Sequence, residues 1–380
     1  MTRPQDTAAT RGDELSSDSP TEATVGADAP SSGAGPGRSL LPRNTLLRHL
    51  LVLLLCTVGT VVLLEATDPF RNSQLAQLSY YAIAAGGLTV LTGLNGQISL
   101  GHGALMAVGA YTTALLLGGD GEPLPLPVVL LASVVTATLV GALVGVAAAR
   151  LHGPYLAGAT LALAVGLPGL ALYFRETLGG EQGLPVQAPR APEWFEAFIG
   201  AVSGNSATTT KWLAYVGAMC LLLTFFLLAN LVRSRIGRTW RAVRDQEVAA
   251  ELAGIDLGLW RVLAFVVSAA CAGLGGAVLA LVVRLAAPSG FTLVLSLALL
   301  TAIVIGGLGS LLGVLLGSAL LVFLPPFITN LGVDLGLDNT EAAQLAPLVY
   351  GVVLVLAMVF APAGFVGTVR QRWLAARARR

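Results

Sequence analysis

Long apolar runs separated by short polar connections dominate this chain. Leu50–Leu64 is the first of them. Trp212–Val232 and Val262–Val283 are the clearest, because neither contains an Asp, Glu, Lys or Arg. About 20 apolar residues cross a hydrocarbon layer. The pattern therefore predicts ten membrane helices, over 50–66, 76–94, 98–117, 125–149, 154–173, 211–232, 261–283, 290–308, 311–330 and 343–362. The expected fold class is an all-α polytopic membrane protein. The pairs 76–94/98–117 and 290–308/311–330 are joined by only a few residues, which leaves one member of each pair open to being re-entrant or broken.

The charged interruption Ser234–Trp260 stands out between two uncharged spans. It predicts a short helix with Thr239 as N-cap, side-chain pairs Arg241/Asp245 and Arg244/Glu247 at helical spacing, and a left-handed stop at Gly254. Ala249 and Ala250 leave a stretch of low relief. A basic loop of this kind is also what any cytoplasmic connection looks like under the positive-inside pattern. With an even number of spans, Arg38, Arg43 and Arg48, this loop and the C-terminal arginines share one side, which gathers most of the 22 basic residues. That places both termini in the cytoplasm.

Composition sharpens the class. The 380 residues are 55% hydrophobic and 11% charged, against about 25% charged in soluble domains. A net charge of +1 offers no basic surface for nucleic acid. Cys56, Cys220 and Cys271 fall inside predicted spans, without disulfide or zinc spacing, and no metal set is expected. Met1–Pro42 is rich in Ser, Thr, Gly, Pro and Asp and is expected to be disordered. Leu50–Leu64 lies too far along for a cleaved secretory signal and reads as a first span or signal anchor.

Polar residues inside hydrocarbon face cavities or other helices. The main cluster is Asn95, Gln97, Ser99 and His102, in N-G-Q-I-S-L-G-H. One reading is packing glue at a broken turn; the other is the wall of a translocation route. Clustered glycines at 86–109, 273–276 and 306–317 fit either tight helix packing or unwound segments. The similarity of GGLTVLTGLNG at 86–96 to GGLGSLLGVLLG at 306–317 is a candidate internal repeat. No phosphate-binding G-x-x-x-x-G-K-[ST] is present, so the chain is not its own ATPase, and no catalytic residues are expected. Carboxylates are absent from 124–175 and 285–333, where an ion-coupled carrier would place them.

Several segments resemble the branched-chain amino acid permease family of ABC importers, of the LivM-like kind. They are R-A-V-R-D-x-E-x-A-A-x-x-x-G-I at 241–255, G-L-x-G-Q-x-S-L-G-H at 93–102, G-P-Y-x-A-x-x-T-L at 153–161, T-L-G-G-E-Q-G-L-P at 177–185 and Y-G-x-V-L-V-L-A-M-V-F-A-P-x-G-F at 350–365. The likeness covers roughly 76–366. It implies a transmembrane permease domain over 46–366 with a coupling loop at 234–260, an N-terminal extension over 1–45 and a basic cytoplasmic tail over 367–380. The implied protein is a multi-pass permease subunit in a bacterial plasma membrane, importing branched-chain or other hydrophobic amino acids. ATP is then bound by separate ATPase subunits, and this chain holds no cofactor. The implied partners are those ATPases, a second permease in a heterodimer, and an extracytoplasmic substrate-binding protein that meets the external segment 174–210; that segment's aromatics equally suit the membrane interface. Arg241, Arg244, Asp245 and Glu247 are the expected coupling residues, with Ala249, Ala250 and Gly254 allowing close docking. Asn95, Gln97, Ser99, His102, Tyr155 and Thr160 are the expected pathway residues. Import of urea or short amides is an alternative within the same machine, and a stand-alone channel or ion-coupled carrier is an alternative of another class.

Overall fold

The computed structural model describes residues 45–118, 124–151, 154–203, 208–360, 364–368 and Trp373. The expected N-terminal extension and basic tail lie almost wholly outside the described residues, as does His152.

The helices in chain order are α1 (Thr45–Ala66), α2 (Pro69–Leu88), α3 (His102–Leu117), α4 (Leu126–Ala149), α5 (Pro154–Tyr173), the single turn α6 (Arg175–Leu178), α7 (Glu193–Ser203), α8 (Thr209–Arg233), α9 (Arg235–Asp245), α10 (Glu247–Leu252), α11 (Leu257–Val283), α12 (Leu293–Gly306), α13 (Leu311–Asp334) and α14 (Asn339–Phe360). Every apolar run foreseen as a span is met by a helix. Eight helical segments among the described residues are long and apolar enough to cross a membrane. The fold is an all-α polytopic membrane protein, and the count of ten is approximate. The span expected over 98–117 begins only at His102 and is 16 residues long, because 95–101 is irregular. One small non-helical element escaped the sequence reading: β1 (Leu184–Pro185) pairs antiparallel with β2 (Leu285–Ala286). It ties the connection after α5 to the connection after α11 and satisfies backbone groups there.

α2 and α11 are the most enclosed spans, and α1 is the least. α11 owes its central position to small residues. Gly276 lies against the Met106 carbonyl of α3, and Gly273 against both Gly109 of α3 and Ser133 of α4. Backbones approach this closely only where no side chain intervenes. Larger residues turn outward, as do Leu131, Leu139 and Leu143 on α4.

α2 does not stop where its α-helical turns end. A π-helical stretch, Thr89–Leu94, carries it on. The chain then turns at Gly96, whose φ of +81° suits glycine. Gln97 N–H donates to the Leu91 carbonyl and Thr92 Oγ1 to the Gln97 carbonyl, so the break is internally bonded. A second break separates α12 from α13 at Gly307 and Gly309, both at positive φ. The two breaks touch, Gly93 lying directly on the backbone of Gly309. The similar runs 86–96 and 306–317 thus meet at one place in different phase: the first runs up to its break, the second starts at its own.

α1 is held to α8 at both ends. His49 Nδ1 donates to Asn230 Oδ1 at 2.7 Å. At the other end Lys211 Nζ lies 2.6 Å from Glu65 Oε2, both side chains under 10% exposed, and Tyr215 Oη donates to Glu65 Oε1 at 2.8 Å. Removing one member of a buried pair is far costlier than the pair is worth. Lys211→Ala is therefore expected to destabilise the protein by about 3–5 kcal/mol. Thermal unfolding of the detergent-solubilised protein checks this, and an unchanged midpoint would contradict it.

Candidate functional site

The segment 234–260 forms two helices and not one. Ser234 occupies the N-cap position and α9 begins at Arg235. Thr239, expected to cap, lies within α9, where its hydroxyl donates to the Arg235 carbonyl. The helical residues before it simply continue the helix, since Ser234 already has the extended backbone a cap needs. Gln246, at φ −154°, ψ 87°, interrupts the path, and α10 follows. The end matches expectation: Gly254 has φ +82°, and Ile255 N–H donates back to the Ala250 carbonyl in a left-handed helix stop.

The interruption at Gln246 separates Arg244 from Glu247, and neither expected pair forms. Arg241 does not reach Asp245; its guanidinium donates to the carbonyls of Gly237 and Val232, at 3.1 and 3.2 Å, fastening α9 to the end of α8. Asp245 pairs with the adjacent Arg244 at 2.7 Å. Glu247, displaced into α10, pairs with Arg261 of α11 at 2.7 Å. Of the two alanines, Ala250 is buried and Ala249 exposed. Beside Ala249, Val248 is 69% and Leu252 85% exposed. These bare aliphatic side chains on a helix outside the spans were not singled out from sequence.

Arg244 makes the connection that the sequence does not reveal. Its Nη1 donates to the Gly93 carbonyl in the π-helical stretch, and its Cγ lies 2.8 Å from where a Cβ on Gly96 would stand. Two further donors meet on one acceptor. Trp240, fully buried in α9, gives its Nε1–H to the Trp260 carbonyl at 3.0 Å, and Asn95 Nδ2 reaches the same oxygen at 3.4 Å. The extramembrane helices, the start of α11 and the broken end of α2 are therefore one hydrogen-bonded assembly. Tryptophan inside a charged loop, at Trp240, was the available signal for this anchor.

Five of the six expected pathway residues are brought together. Asn95, Gln97, Ser99, His102 and Thr160 are all buried. Gln97 Nε2 donates to Asn95 Oδ1 at 2.9 Å, Leu100 N–H to Thr160 Oγ1 at 3.0 Å, and His102 Nε2 to the Ala84 carbonyl at 2.8 Å. Ser99 Oγ and His102 Nδ1 are buried without a hydrogen-bond partner among the described residues. Tyr155 stands apart, 78% exposed near the start of α5. The cluster borders neither of two large clefts, one of about 460 Å³ between α2 and α13 and one of about 1020 Å³ among α1, α4, α7 and α8.

Comparison with known proteins identifies relatives of the chain. Residues 72–358 match the family model for the permease component of branched-chain amino acid transport systems. The LivM permease protein of the high-affinity branched-chain amino acid transport system of Escherichia coli K12 is 32% identical over 332 residues, covering 82% of this chain and 74% of LivM. LivM of Salmonella typhimurium is 32% identical over 306 residues, 76% of this chain and 68% of its own length. BraD of Pseudomonas aeruginosa, a permease protein of the same kind of system, is 26% identical over 76% of this chain and 92% of BraD. No solved structure matches the chain. The chain belongs to the family of permease components of branched-chain amino acid transport systems.

Proposed function

We propose that this chain is the membrane-spanning subunit of an ATP-driven importer for branched-chain or related hydrophobic amino acids. It works with a second permease, two ATPase subunits and an extracytoplasmic binding protein, and leaves nucleotide binding to the ATPases. The observation that carries this reading is the α9–α10 segment. It shows exposed Val248, Ala249 and Leu252 on one side, and on the other is bonded through Arg244 and Trp240 to the broken helix. That geometry suits a lever: an ATPase groove takes α10, and displacement passes to the 93–102 break. Arg241, Asp245 and Glu247 keep the lever attached, and Ala250 and Gly254 set its end. Gln97, Asn95 and Thr160 hold the break, while Ser99 Oγ and His102 Nδ1 take up a solute's or water's hydrogen bonds when the packing opens. Tyr155, outside the cluster, serves the route only from the outer surface of α5. The lever side is the cytoplasmic side, as the arginine distribution requires.

Two measurements test the reading. Cysteine at Val248 or Leu252 is expected to crosslink to an ATPase subunit in the assembled complex. Uptake of labelled leucine is expected to be competed by valine and not by urea. Competition by urea alone would move the substrate to amides, and flux in vesicles without any ATPase would replace the importer with a channel or carrier.

A further inference from the structure

The cleft of about 1020 Å³ is built at one end of the bundle and has a definite depth. Its floor and walls are apolar: Val61 of α1, Leu130 of α4, and Val216, Met219 and Leu222 of α8. Its rim is aromatic. Trp194 and Phe198 of α7 border it, and Trp194 packs edge-on against Trp212 at 5.9 Å. Along α8 the lining runs from Trp212 to Leu222, which at 1.5 Å per residue is about 15 Å. That is half the thickness of a bilayer's hydrocarbon core, about 30 Å. The tryptophan rim lies where interfacial aromatics belong. Among the described residues lining the cleft, Arg190 is the single charged one, and it sits with Gln187 in the chain leading into α7. α7 carries Glu193 and Glu196, neither of which lines the cleft. α1 closes the cleft on one side, packed chiefly against α8, with Leu64 also meeting Ala76 of α2.

We propose that this cleft is a phospholipid site: the acyl chains of one lipid, from the leaflet on the α7 side, fill it, and an anionic headgroup pairs with Arg190. An apolar space at membrane depth offers water almost no hydrogen bonds and offers a hydrocarbon chain full contact. One-leaflet depth, an aromatic rim and a cation at the rim together match a lipid and no water-soluble solute.

The test uses the complete permease–ATPase complex in nanodiscs of phosphatidylcholine. Increasing fractions of dibrominated phosphatidylglycerol or dibrominated phosphatidylcholine are added, since bromine quenches tryptophan on contact. Subtracting the signal of a Trp194→Phe/Trp212→Phe complex isolates the two rim tryptophans. The expected result is saturable quenching, half-complete at about a fivefold lower fraction for phosphatidylglycerol than for phosphatidylcholine. Arg190→Gln is expected to bring that ratio to about one while quenching by phosphatidylcholine persists. Ala218→Phe, which fills the floor, is expected to remove the saturable component. Quenching that rises linearly with equal slope for both lipids would mean ordinary bilayer contact and would overturn the site. Absence of quenching in the complex would show that another protein helix covers the cleft, which overturns it equally.

Discussion

Arg244→Glu is expected to abolish uptake while the protein remains in the membrane and still assembles with its ATPases. Its guanidinium donates to the Gly93 carbonyl, at the point where α2 gives way to the break. A hydrogen bond from a charged donor is worth about 1.5–3 kcal/mol. If that bond transmits the lever's position, losing it shifts the linked equilibrium by about 10- to 150-fold, a decade for every 1.4 kcal/mol. Glutamate goes further, setting a carboxylate against a carbonyl oxygen and beside Asp245, its present ion-pair partner. Arg244→Lys keeps the charge without the planar fork, so partial uptake is expected from it. Radiolabelled uptake alongside ATPase activity of the purified complex separates the outcomes. Basal ATP hydrolysis should continue in the glutamate variant without transport. Wild-type uptake in that variant would remove Arg244 from the coupling route.

Gly93→Val is expected to destabilise the junction of the two breaks. A Cβ there would lie 2.5 Å from the Gly309 nitrogen and 3.0 Å from its Cα, with Leu308 C at 3.3 Å. All three obstacles are main chain, so no rotamer change relieves them. The two breaks would be forced apart, and overpacking of this kind costs about 1–3 kcal/mol or more. Gly93→Ala should show a smaller loss of the same sign. Gly254→Ala is the contrast: nothing lies within 4 Å of its would-be Cβ, so only the left-handed backbone is penalised, by about 1–2 kcal/mol. Monodispersity and thermal midpoint in detergent rank the three, and a valine variant as stable as wild type would show that the breaks need not touch.

Much of the architecture was legible in the sequence because hydrocarbon is an unforgiving solvent. Uncharged runs such as Trp212–Val232 have no other use for so many apolar residues, and α8 accordingly spans Thr209–Arg233. Gly254 was legible because a left-handed stop has a strong residue preference. The broken connection at 95–101 was foreshadowed by Asn95, Gln97 and Ser99 set among Gly93, Gly96 and Gly101. What was not legible is of two kinds. Helical pair spacing assumes an unbroken helix, and Gln246 breaks it, so Glu247 pairs with Arg261 and not Arg244. The meeting of Asn95, Trp240 and Trp260 is a tertiary fact between residues up to 165 positions apart, which no local pattern encodes. The two-residue pairing of β1 with β2 is similarly too short to leave a periodic trace.

The Trp260 carbonyl, which receives both Trp240 and Asn95, has a consequence for heredity. A main-chain oxygen persists through every codon change at position 260, so drift cannot erase the acceptor. Only its donors are vulnerable, and lesions that sever this junction should surface at 95 and 240, while the side chain at 260 is constrained by its packing against the core and not by this bond.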